Sequence, residues 1–151
     1  MSLAKYQKQL NKIFKNHQVV LAYLFGSVAR KRTGPLSDID IAVLFSDKVK
    51  KDDYFDQELS LATEIGKLLK VDRVDIVNLK TVKNPLLQHD IIFEGKPILV
   101  EDEKLRFEIE NQIMKEYEDT KHLREVQNRI MREQIKEGTF GKPLISIYSK
   151  K

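Results

Sequence analysis

The stretch LFGSVARKRTGPLSDIDIAVL, residues 24–44, decides how this chain reads. It opens on the end of an apolar run, VVLAYLF (19–25), which has the length and composition of a buried strand. Gly26-Ser27 marks where that strand gives way to a short helix, VARKR, which Thr33-Gly34-Pro35 then breaks. Glycine at such a junction lets a ligand approach the backbone closely. The first N–H groups of the following helix have no partner inside it and favour an anion. Ser27 adds a hydroxyl donor. Gly26 and Ser27 therefore form a candidate phosphate site, although not a P-loop, because no Gly-Lys-Ser/Thr follows. Arg30 stands one helical turn after Ser27, where it could reach a triphosphate or a carboxylate; an exposed arginine is the competing reading.

The second half, DIDIAVLF (38–45), reads as another strand. Asp38 and Asp40 are two residues apart, so both project to one face while Ile39, Ile41 and Val43 take the other. Two acids side by side repel unless a cation lies between them. Oxygen ligands without His or Cys suit magnesium or manganese. In-line phosphoryl chemistry with two metals wants a further carboxylate. Asp75 is the candidate, flanked by Val74 and Ile76 in the apolar strand RVDIVNL (73–79). Burying a lone carboxylate there would be costly, and a metal would account for it. Asp72 points to the opposite face and reads as a turn residue.

Outward from this centre, residues 3–16 form an amphipathic pattern, with Leu3, Tyr6, Leu10, Ile13 and Phe14 on one face. Asp52 or Asp53 is placed to cap a helix in which Phe55, Leu59, Ala62, Ile65 and Leu69 recur at helical spacing. Asn84-Pro85 opens a short helix that stops at Gly95, and PILV (97–100) reads as an edge strand. From 103 to 137 there is neither Pro nor Gly. A helix of that length would measure roughly 50 Å, against a radius of gyration near ~15 Å for a globule of this size. Either it bends near Asp119-Thr120 and packs as two helices, or it serves as a partner-binding arm; its second half carries the stripe Leu123, Val126, Ile130, Met131 and Ile135. The tail, GTFGKPLISIYSKK (138–151), combines turn residues with a short apolar run.

Composition narrows the classes. The 151 residues hold 27 Lys and Arg against 23 Asp and Glu, a net charge of +4. Cysteine is absent, which excludes a disulfide scaffold and a thiolate zinc site. Three scattered histidines argue against an all-His metal site. No run is long and apolar enough to span a membrane, and the polar N-terminus lacks a secretory signal, so the expected location is the cytoplasm. Residues 1–32 carry seven basic side chains and no acid. A solvated face is the simpler reading of these charges. No helix-turn-helix or zinc pattern accompanies them, so direct nucleic-acid binding is not expected.

Gly-Ser, ten residues, Asp-Ile-Asp within a strand, and a strand aspartate downstream: this pattern resembles the minimal nucleotidyltransferases (MNT) of the DNA polymerase beta-like superfamily, whose signature is G-S-x10-D-x-D. Gly26, Ser27, Asp38 and Asp40 occupy the motif positions and Asp75 matches the third acid, the resemblance running over roughly residues 18–100. Lys31-Arg32 departs from the glycine that many members carry after the motif arginine. The resemblance implies an α/β (α+β) fold: a nucleotidyltransferase core with a short mixed β-sheet flanked by helices, and a long C-terminal helical extension. The expected division is a core over 1–102, a helical arm over 103–137 and a tail over 138–151. It further implies a nucleoside triphosphate substrate, ATP, and two Mg2+ ions, or Mn2+, held by Asp38, Asp40 and Asp75, with Gly26, Ser27 and Arg30 on the phosphates.

Stand-alone chains of this size resemble the MntA-type antitoxins of HEPN/MNT toxin–antitoxin pairs. The implied partner is a helical HEPN ribonuclease toxin, in a hetero-oligomer, and the implied reaction is transfer of AMP to a toxin tyrosine. An aminoglycoside-type nucleotidyltransferase and an antitoxin acting by binding alone are the competing expectations.

Overall fold

The computed structural model describes residues 3–26, 38–139 and 141. Ser27, Arg30, the VARKR helix, the Thr33-Gly34-Pro35 break and the tail from residue 142 lie outside them.

A 3-10 turn, Leu3–Tyr6, leads into helix α1 (Gln7–Asn16). Strands β1 (Val19–Phe25) and β2 (Ile39–Phe45) follow. Helix α2 (Tyr54–Leu69) connects to β3 (Val74–Asn78), and helix α3 (Pro85–Glu94) to β4 (Lys96–Val100). Helix α4 spans Glu103–Glu137. The four strands form one sheet in the order β3-β2-β1-β4. β1 runs antiparallel to both β2 and β4, whereas β2 and β3 are parallel, with α2 as the crossover. This is the mixed sheet with flanking helices expected from the sequence.

Both faces of the sheet are covered, which explains why β1 and β2 read as nearly continuous apolar runs rather than alternating ones. On one face Ala22, Leu24, Ile39, Ile41, Val43 and Phe45 pack with Leu10 and Phe14 of α1 and with Leu61, Ile65 and Leu69 of α2. On the other, Leu21, Tyr23, Phe25, Ala42 and Leu44 pack with Ile91 of α3 and with Leu105 and Ile109 at the start of α4. A register shift between Val19 and Leu21 interrupts the alternation at the start of β1.

Two details of α2 correct the sequence reading. Asp53 occupies the position before the helix, but its side chain makes no capping hydrogen bond. A 3-10 turn, Lys51–Asp53, already precedes the helix, and Asp53 has helical backbone angles (φ −93, ψ −6). Capping needs an extended residue whose side chain can fold back over the first turn. The expected stripe is buried only in its second half: Ile65 and Leu69 are buried, joined by Leu61, while Phe55 and Leu59 are 73% and 58% exposed. At α3, by contrast, the Asn84 side chain accepts from the N–H groups of Leu86 and Leu87, and Pro85 takes the first helical position. Gly95 ends that helix against the sheet: a Cβ there would overlap the Ile91 carbonyl oxygen and come within 3.1 Å of that of Leu24.

The chain divides into two compact units, Met1–Met114 and Lys115–Lys151. Of the two readings of this stretch, the bend near Asp119-Thr120 is absent; α4 is one 35-residue helix. Ile113 is its buried residue. In the second unit Leu123, Ile130, Met131 and Ile135 are all exposed. No helix among the described residues is long and apolar enough to cross a membrane.

Candidate active site

The strand pairings bring the described residues of the sequence motif to one end of the sheet. Phe25, the last residue of β1, faces Asp40 across the antiparallel pair, and Asp40 faces Asp75 across the parallel pair. Asp40 alternates with Ile39 and Ile41, so it lies on the face of the sheet that carries Ala42 and Leu44. Asp38 stands immediately before β2 and is about half exposed.

Gly26 closes the site from the β1 side. Its φ of +77 lies in the left-handed region, where a side chain is strained. A Cβ at this position would overlap Oδ2 of Asp40. Glycine is thus required twice, once by the turn and once by the carboxylate behind it.

The carboxyl of Asp40 is held above its usual range. Burial is the main cause, followed by the charge of Asp75, a hydrogen bond with Asp75 and the charge of Asp38; Arg73 opposes these effects. An acid under this pressure gains from any nearby cation. Arg73 supplies one. Its Nε donates to Oδ1 of Asp75 at 3.1 Å, and its Nη1 lies 3.9 Å from Oδ2 of Asp38. The two carboxylates raise the guanidinium pKa in turn, the hydrogen bond to Asp75 contributing most.

Asp75 is not the buried lone carboxylate that the sequence suggested. Its side chain is 41% exposed and paired with Arg73. The apolar neighbours Val74 and Ile76 face the other side of β3, toward the core. Arg73 belongs to no sequence motif, although its spacing of two from Asp75 places both on one face of an extended segment. Ser27 and Arg30 lie outside the described residues.

Among the described residues, no group of three or more acids or histidines is arranged to hold a metal ion as it stands; Asp38 and Asp75 lie against Arg73. The donor set nevertheless suits a hard divalent cation: oxygen ligands alone, mutually repelling, with an arginine standing in for positive charge and with room at Asp40 that a Cβ on Gly26 would fill. A separate cleft of about 480 Å3, lined by Val20, Leu44, Lys80, Leu105 and Ile109, lies toward the opposite ends of β1 and β2 and includes none of these acids.

A glycine turn set against paired strand acids, on a mixed four-stranded sheet with flanking helices, defines the class: a nucleotidyltransferase fold. The sequence matches the family model described as Polymerase beta, Nucleotidyltransferase over residues 8–104, and the chain belongs to that family. No curated protein matches it. Among solved structures, a chain of a toxin–antitoxin complex with AMP-PNP is 23% identical, with a TM-score of 0.67, covering 83% of this chain and 98% of that one. A chain of the complex between the tri-AMPylated HEPN toxin of Shewanella oneidensis and its MNT antitoxin is 21% identical, with a TM-score of 0.64, over 86% of this chain and 99% of that one. A chain of the MntA–HepT toxin–antitoxin structure is 22% identical, with a TM-score of 0.61, over 83% and 96%.

Proposed function

We propose that this chain is a magnesium-dependent nucleotidyltransferase that acts as an antitoxin, transferring AMP from ATP to a tyrosine hydroxyl of a helical HEPN-type toxin. The observation that carries the reading is the register of Asp40 with Asp75 beside Gly26, on a chain of the nucleotidyltransferase family. The similar chains in a complex with AMP-PNP and in a complex with a tri-AMPylated toxin support the choice of nucleotide and acceptor.

In this reading Asp38, Asp40 and Asp75 would hold two magnesium ions, whose charge would offset that of the triphosphate and lower the pKa of the acceptor hydroxyl. Gly26 keeps the backbone clear for the phosphates, with Ser27 and Arg30 as further phosphate contacts. Asp75, half exposed on β3, would favour loss of the hydroxyl proton as the oxygen attacks the α-phosphorus and pyrophosphate leaves. A tyrosine suits the step because its pKa near ~10 is low for an alcohol. Residues 1–102 form the catalytic core and residues 103–137 the partner-binding arm. Leu105, Ile109 and Ile113 root the arm's first turns. Leu123, Ile130, Met131 and Ile135 offer an exposed apolar face to the toxin. The assembly is a hetero-oligomer in the cytoplasm.

Mass spectrometry of a co-expressed HEPN-type partner tests this. One or more AMP additions should appear on the partner with the intact protein and vanish with Asp38→Ala/Asp40→Ala. A partner that is neutralised without modification would replace the reading by binding alone. Transfer confined to aminoglycosides would replace it by a small-molecule enzyme.

A further inference from the structure

The acids of the site have a partner of their own. Arg73 spans Asp75 and Asp38 from the solvent side, one nitrogen toward each, and is itself 67% exposed. The guanidinium fork suits a bridging position, because Nε and Nη1 point in fixed directions and can address two carboxylates at once. The lone pairs it engages are among those a divalent cation would need. One side chain cannot occupy them together with a metal, because both positive charges would compete for the same oxygens.

We propose that Arg73 is the resident counter-charge of this site and that divalent metal binds by displacing it from Asp38 and Asp75. This rests on the reading of those acids as metal ligands. Arg73 is then a positioning residue. It keeps the carboxylates close in the absence of metal and sets how tightly metal binds. Being exposed, it can leave without disturbing the core, and its pairing weakens with salt.

The full-length protein titrated with Mn2+ alone, followed by calorimetry and by the electron paramagnetic resonance of free Mn2+, tests the proposal. Arg73→Gln should bind Mn2+ about three- to tenfold more tightly than the native protein at low salt. The gap should narrow as salt rises. Arg73→Lys, whose single ammonium cannot bridge two carboxylates, should fall between the two. The rise in Tm on adding Mn2+ should be larger for Arg73→Gln than for the native protein, which shows at the same time that the variant folds. Equal or weaker Mn2+ binding by Arg73→Gln, with binding lost in Asp75→Asn, would overturn the role of Arg73 and leave the acids as ligands. No Mn2+ binding by either the native protein or Arg73→Gln would overturn the metal site itself, and the proposal with it.

Discussion

Gly26 shows how little tolerance the site has at a single residue. A methyl group there meets both a left-handed backbone and the Asp40 carboxylate. Gly26→Ala should lower stability by about 1–3 kcal/mol, measured by urea unfolding, and should reduce ATP binding by more than the stability loss explains, because Asp40 must move. Unchanged ATP affinity would detach Gly26 from the site. Tyr23 makes a second residue-scale case. It is fully buried, and its hydroxyl donates to Oε1 of Glu110 at 2.6 Å, which Arg106 Nε also reaches at 3.0 Å. Tyr23→Phe leaves Glu110 without that donor and should cost about 1.5–3 kcal/mol. Burial, then the hydrogen bond and charge of Glu110, push the Tyr23 pKa well above its ordinary value. A raised pKa in the fold means full stability below the ordinary tyrosine range near ~10 and loss as pH rises beyond it. Tyr23→Phe should flatten that alkaline loss in a series of denaturation curves. Nothing in the sequence announced this triad, since Tyr23 and Glu110 are far apart along the chain and meet only when α4 docks. The acids Asp38 and Asp40 were legible because strand periodicity alone puts them on one face; the pairing of Arg73 with Asp75 depends on side-chain geometry.

At the scale of elements, apolar runs and breakers located the helices and strands with little error. VVLAYLF became β1 residue for residue, and Asn84-Pro85 opened α3. Orientation was harder. α2 has more apolar residues than one face can hold, so periodicity alone could not choose whether Phe55 and Leu59 or Leu61 would join Ile65 and Leu69 in the core. Packing against Ile41 and Val43 made the choice. α4 raises the opposite issue, a uniform helical sequence whose burial is not uniform. Leu105, Ile109 and Ile113 pack in the first unit, whereas Leu123, Ile130, Met131 and Ile135 are exposed. Helices without a packed face are marginal in water. Amide hydrogen exchange should therefore be slow through about Ile113 and at least tenfold faster beyond Lys115, with protection appearing there when a partner binds. Uniform protection along α4 in the isolated protein would show that the second half is stabilised without a partner.

For the whole molecule, the order β3-β2-β1-β4 determines what the site is made of. The neighbouring strands β1 and β2 bring Gly26 and Asp40 together, an antiparallel pairing of segments close in sequence. Asp75 arrives by the parallel pairing of β3 with β2, after the whole of α2 has been laid across the sheet. The order in which contacts can be won during folding follows from this. Closing a long connection costs chain entropy before its contacts repay it, so parallel pairings across a crossover are slow compared with local ones. The acid pair is thus completed by a step less local than the β1–β2 pairing. A chain caught with only its β1–β2 pairing would own the glycine turn and two of the three aspartates yet lack Asp75, and on refolding the metal binding proposed for these acids should return no earlier than the β2–β3 contact.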